Sequence, residues 1–189
     1  MKKTVMAMLV ALSIGTVQAA SFIWGTGGSG TPIQSSTEGI GLATGSAVLL
    51  IYAPEGISFG GNPGALTLGS GMTILDTRAI GANAGRTGNF SYSSESINWG
   101  DTLTGYYIVA FDTADWTDAT EFAYATYTFT LPASSSATAV NSNKLLLGTS
   151  TAYLENIAYN EWTAVPEPTS MALLAFGVAA LGLRRKFRA

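Results

Sequence analysis

The sequence contains no cysteine and no histidine, and only 11% of its 189 residues are charged. Without cysteine, no disulfide can stabilise the fold, and no cysteine nucleophile or cysteine-ligated iron–sulfur cluster can be built. Without histidine, a Ser-His-Asp triad and the usual zinc and haem sites are excluded as well. Carboxylates, hydroxyls, a few basic groups and aromatic rings are left to carry any chemistry.

Basic residues are scarce in the middle of the chain. Residues 20–164 hold eleven Asp and Glu but only three Lys and Arg, which gives this segment a formal charge of −8. The value of −3 for the whole chain hides this, because most of the basic residues lie near the two ends. So acidic a segment repels the phosphates of nucleic acids, and nucleic-acid binding is therefore excluded.

The first 19 residues have the composition of a secretory signal peptide. Lys2 and Lys3 form a basic start, and Val5–Ile14 is an apolar run. Small or permissive residues follow, which predicts cleavage by signal peptidase after Ala19 and a mature chain that begins at Ala20. An uncleaved membrane anchor is the alternative, but the apolar run is short for that role. We therefore predict a helical signal peptide over residues 1–19.

Three features follow one another near the C-terminal end. A short proline-rich motif comes first, and the uncharged run Met171–Leu183 comes second. The motif consists of Val165, Pro166, Glu167 and Pro168, and the basic cluster that ends the series consists of Arg184, Arg185, Lys186 and Arg188. The apolar run predicts a short transmembrane helix, and the basic cluster would stop translocation and stay on the cytoplasmic side.

This order of motif, apolar helix and basic cluster resembles the PEP-CTERM sorting signal of exported bacterial proteins. The resemblance covers residues 165–189 only. It implies recognition by an exosortase, a membrane-embedded cysteine-protease-like enzyme that processes the chain near the motif. It also implies an inner-membrane intermediate, delivery to the cell surface or extracellular matrix, and an association with exopolysaccharide. A plain C-terminal membrane anchor is the alternative.

Residues 20–164, here called the passenger domain, have the size of one domain and the pattern of an all-β protein. Short apolar segments alternate with turns rich in Gly, Pro and Asn, and no long amphipathic helix interrupts them. We predict a single antiparallel β-sandwich or jelly roll. Ala47–Ala53 and Gly105–Phe111 are apolar on both faces, so both are expected at the centre of a packed sheet. Asp76–Gly88 is predicted as a loop, with a short helix at Thr77–Ala82 as the alternative.

The acidic segment around Trp116 is a candidate metal site. Asp112, Asp115 and Asp118 lie in a loop between predicted strands, and loop carboxylates of this kind can bind Ca²⁺. Their spacing is not that of an EF-hand, which needs oxygen ligands at alternate positions and a central glycine. A solvated acidic loop without metal is the alternative, and the spacing favours it. No other cofactor is predicted.

Two further patterns bear on function. The chain has four Trp and eight Tyr, and exposed rings could stack on sugars, although most of them are expected in the core. Two carboxylates could also hydrolyse a glycosidic bond without any histidine, but no pair is singled out and no catalytic residue is assigned. We therefore expect a non-enzymatic structural or binding protein associated with exopolysaccharide, with a carbohydrate-active hydrolase as the alternative.

Overall fold

The fold is described from a computed structural model of the chain. The structure describes residues 20–27, 30–62, 65–126, 128–131, 144–147 and 156–165. These residues form β-strands and two short 3₁₀ helices, and none of them lies in an α-helix. No helix in this part of the chain is long and apolar enough to cross a membrane. The predicted signal peptide and the predicted transmembrane helix both lie outside the described residues.

Twelve strands are described. They are β1 (Ala20–Thr26), β2 (Ala47–Tyr52), β3 (Phe59–Asn62), β4 (Ala65–Leu68), β5 (Thr73–Ala79), β6 (Asn89–Ser94), β7 (Thr102–Leu103), β8 (Tyr106–Phe111), β9 (Glu121–Thr126), β10 (Phe129–Thr130), β11 (Lys144–Leu147) and β12 (Thr163–Ala164). The 3₁₀ helices are Trp116–Asp118 and Tyr159–Glu161.

The strands form two larger sheets and two strand pairs. A five-stranded antiparallel sheet has the order β12-β9-β8-β2-β5. A three-stranded sheet has the order β11-β1-β6, in which β1 runs parallel to β11 and antiparallel to β6. The hairpin β3–β4 and the pair β7–β10 are antiparallel. The all-β prediction is confirmed, whereas a single sandwich or jelly roll remains a prediction.

One hydrophobic core joins the two larger sheets. Phe22 and Trp24 of β1 and Leu145 of β11 belong to the same cluster as Leu50 of β2 and Ile108 of β8. All five side chains are at most 1% exposed. Burial of large apolar side chains is the main source of stability in a domain of this size, so this cluster holds the two sheets together.

A second core covers the opposite face of the five-stranded sheet. Leu49 of β2, with Val109 and Phe111 of β8, packs with Leu66 of β4, and Phe59 of β3 lies against this cluster. Neighbouring residues of a strand point to opposite faces, so β2 and β8 place apolar side chains in both cores. The prediction that these two segments lie at the centre of a packed sheet is confirmed.

The segment after Leu75 differs from its prediction. Asp76–Ala79 is the second half of β5 and pairs with β2, so the loop predicted from Asp76 and the alternative helix at Thr77–Ala82 are both wrong there. The strand is an edge strand of the five-stranded sheet and largely exposed, which explains its polar sequence. A polar edge strand carries no alternating apolar pattern, so the local sequence does not reveal it.

A polar network connects β5 to the three-stranded sheet. The indole Nε1 of Trp24 donates a hydrogen bond of 3.0 Å to a carboxylate oxygen of Asp76. The same oxygen lies 3.1 Å from a guanidinium nitrogen of Arg78. The Arg78 guanidinium carbon lies 4.7 Å from the ring centre of Phe90, and that ring contacts Trp24 with their centres 5.5 Å apart. The buried indole nitrogen is thereby satisfied at the rim of the first core.

Candidate functional site

The described part of the chain ends where the proline-rich motif begins. Thr163 and Ala164 form β12, which pairs with Phe122 and Glu121 of β9. The backbone N–H of Val165 then donates a hydrogen bond of 2.7 Å to the carbonyl oxygen of Thr120. The Val165 side chain is partly buried against the second core. The first residue of the motif is therefore part of the folded domain, held by a backbone bond and by apolar packing.

The acceptor of that bond is itself fixed by an acidic side chain. The Asp112 carboxylate accepts hydrogen bonds from both the backbone N–H and the hydroxyl of Thr120. The backbone N–H of Asp112 in turn donates to the carbonyl oxygen of Glu121, at 3.2 Å. Asp112 thus closes the loop between β8 and β9 and orients the start of β9, on which Val165 docks.

The two other acidic residues of the predicted Ca²⁺ site are not brought together with Asp112. Asp115 caps the 3₁₀ helix Trp116–Asp118, where its carboxylate accepts from the N–H and the hydroxyl of Thr117. These hydrogen bonds lower the pKa of the Asp115 carboxyl. Asp118 is exposed. Within the described ranges, no three acidic side chains are grouped so that they could hold a metal ion.

Most of the aromatic residues considered for sugar binding contribute to packing. Trp24 is fully buried, while Trp99 and Trp162 are partly buried against the first core and Trp116 against the second. Burial, the largest cause, raises the pKa of Tyr106 to about 12. Tyr153 lies outside the described residues. The large rings that are exposed in the described segments are those of Tyr52, Tyr124 and Tyr159.

Tyr124 is the most exposed of these rings, and a second tyrosine supports it. Its side chain is 43% exposed. Tyr124 lies on β9 opposite Val109 of β8. Its ring forms an edge-to-face contact with the ring of Tyr107, also on β8, and the two ring centres are 5.6 Å apart. Such a pair is held in place on rigid strands and still presents aromatic surface to solvent, which suits contact with a sugar ring.

The remaining predicted site residues lie outside the described part of the chain. They are Ala19 of the signal cleavage site, Pro166, Glu167 and Pro168 of the motif, and the basic residues Arg184, Arg185, Lys186 and Arg188. The junction on β9 was not predicted, since β12 has only two residues and its partner lies about forty positions upstream. The only local signal for a strand here is that Thr163 and Val165 favour β structure and that Val165 directly precedes a proline, which favours an extended backbone.

Comparison with known proteins bears on this same segment. The family model of the PEP-CTERM protein-sorting motif matches residues 164–186, which confirms the resemblance on a segment of the chain. No curated protein and no solved structure matches the chain significantly. The motif is that of exported proteins that are held transiently in the membrane, processed by an exosortase and sorted to the surface. The chain therefore carries a PEP-CTERM protein-sorting motif at residues 164–186.

Proposed function

We propose that this chain is a non-enzymatic structural or binding protein that acts at the cell surface or in the extracellular matrix, beside exopolysaccharide. The observation that carries the proposal is the sorting motif at residues 164–186. In this proposal, signal peptidase cleaves after Ala19 and an exosortase processes the chain near Pro166–Pro168. The two larger sheets, packed on a shared core, then form one β-sandwich that remains as the mature domain.

The use of the acidic side chains supports a non-enzymatic role. Asp76 is tied to Trp24 and Arg78. Asp101 accepts from the backbone N–H of Asn98, and Glu161 accepts from that of Ala158, both at 2.8 Å. Together with Asp112 and Asp115, these carboxylates satisfy local backbone and side-chain donors. A glycosidase instead needs two carboxylates that face each other across a substrate groove.

The tyrosine pair on β8 and β9 is the proposed contact surface for the polysaccharide. The Tyr124 side chain is 43% exposed, and its backbone is held in the sheet because both of its neighbours along β9 are paired with β8. Tyr107 supports it from the side. The negative charge of the passenger domain repels phosphate polymers. It does not repel a neutral polysaccharide, or an anionic one whose charge is bridged by divalent cations.

The sorting step is tested by removing Pro166–Pro168. We expect the deleted chain to be exported and to lose residues 1–19, but to keep its C-terminal tail and stay in the inner membrane. Intact mass of the protein recovered from membrane and medium measures this, with the unaltered chain in a strain without exosortase as the control. The precursor of the deleted chain should be lighter than that of the control by the mass of the three deleted residues, and both should keep the C-terminal tail. Unchanged processing and delivery of the deleted chain would contradict the proposal.

The contact surface is tested by Tyr124→Ala. Loss of one stacking ring is expected to weaken binding to the polysaccharide of the producing cells by about fivefold. Affinity electrophoresis in gels that contain the polysaccharide measures the change. Tyr159→Ala is a matched control, because Tyr159 is 39% exposed but belongs to a 3₁₀ helix and not to β8 or β9. Equal binding by both variants would rule out the tyrosine pair as the contact.

A further inference from the structure

The docking of β12 on β9 places a folded structure directly against the processing motif. Thr163, Ala164 and Val165 continue one antiparallel register with Phe122, Glu121 and Thr120. The pairing therefore covers the chain up to the first residue of the motif.

Little chain separates this docking point from the predicted membrane span. Five residues, 166–170, lie between Val165 and the start of the apolar run at Met171. Fully extended, this connection reaches about 20 Å. While the tail is in the membrane, the start of β9 must therefore stay close to the membrane surface, where a membrane-embedded enzyme reaches the motif.

We infer that β12 and Val165 restrict processing, and that the exosortase gains full access to the motif only after this segment leaves the edge of β9. This inference rests on the proposed sorting function. A protease binds its substrate as an extended strand and needs free backbone groups on both sides of the motif. In the folded domain, the N–H of Val165 is engaged by Thr120 and its side chain is packed against the second core.

The weak attachment of β12 to the edge of β9 allows this segment to open. β12 has two residues, both exposed, and it is the outermost strand of its sheet. Short edge strands with few buried contacts belong to the least stable parts of a fold. When opening is fast, the rate of cleavage follows the population of the open form. The stability of β12 on β9 would thereby set the rate at which the protein leaves the membrane.

A disulfide across the two strands tests the inference. Antiparallel pairs alternate between hydrogen-bonded and non-bonded, so the bond from Val165 to Thr120 makes Ala164 and Glu121 a non-bonded pair. Such pairs have Cα atoms about 4.5 Å apart, within the range that a disulfide spans. The chain has no cysteine of its own, so Glu121→Cys with Ala164→Cys creates a single defined crosslink.

The crosslinked chain should be processed at least about tenfold more slowly, because the open form is no longer populated. Each single cysteine variant is the matched control and should be processed at the normal rate. Addition of a reductant during the chase should restore processing of the double variant, which a merely misfolded chain would not show. Pulse-chase gels run with and without reductant report the crosslink and the processed form together.

Two outcomes would overturn the inference. One is normal processing of a chain that carries the crosslink. The other is failure of the two cysteines to crosslink, because Ala164 would then not be held opposite Glu121. Neither outcome touches the sorting function, which fails only if the chain without Pro166–Pro168 is still processed.

Discussion

Replacement of Trp24 by alanine is expected to lower the free energy of unfolding by about 3–5 kcal/mol. The indole is fully buried between the two larger sheets, so its removal leaves a large cavity in the first core. The change also removes the donor to Asp76 and the ring that packs against Phe90. Urea denaturation of the purified protein, followed by far-UV circular dichroism, measures the loss.

Trp24→Phe separates the cavity from the hydrogen bond. Phenylalanine keeps most of the apolar volume but lacks the Nε1 donor, so a loss of about 1–2 kcal/mol is expected. Equal losses for Trp24→Ala and Trp24→Phe would mean that the two sheets do not share a core at this position.

Gly25→Ala is expected to destabilise the domain by more than about 4 kcal/mol, a loss that few single substitutions reach. Gly25 has a φ angle of +120°, and a Cβ atom there would lie less than 3.0 Å from the carbonyl oxygen of Gly88. That oxygen cannot move away freely, because it accepts a hydrogen bond of 2.8 Å from the backbone N–H of Thr26. The yield of soluble exported protein and its unfolding midpoint in urea report the effect.

Gly45→Ala is the matched control for this prediction. Gly45 also has a positive φ angle, +94°, but a Cβ atom there would meet nothing within 4 Å. Its substitution therefore carries only the backbone strain, about 1–2 kcal/mol. If both alanine variants lost the same stability, the close approach between Gly25 and Gly88 would not be what requires glycine in β1.

The central strands could be predicted from the sequence because their burial on both faces determines the residue types along the strand itself. A strand that is buried on both faces must be apolar at every position, and the segments that contain β2 and β8 show this plainly. β9 is also covered on both faces, since Ala123 is buried in the first core and Phe122 on the opposite face packs against the second core.

Elements that depend on distant partners could not be read in this way. The part of β5 after Leu75 is polar and lies at the edge of the sheet, and its place follows from pairing with β2 rather than from its own pattern. β11 pairs in parallel with β1, a register that no local signal encodes. The sorting motif was recognisable because its chemistry is contained in consecutive residues, whereas the docking of Val165 on Thr120 depends on the fold of the whole passenger domain.

The position of β1 has a consequence for the order in which the domain assembles. It is the first described strand, yet it is the central strand of its sheet, with Phe90 of β6 on one side of Trp24 and Leu145 of β11 on the other. In a chain that is exported with its N-terminus first, β1 is not paired on both sides until β6 and then β11 have also been exported. Native structure with such high contact order forms slowly. The domain can therefore complete its fold only after the C-terminal part of the chain has been exported. Until then the polypeptide stays unfolded, as passage through a narrow export channel requires.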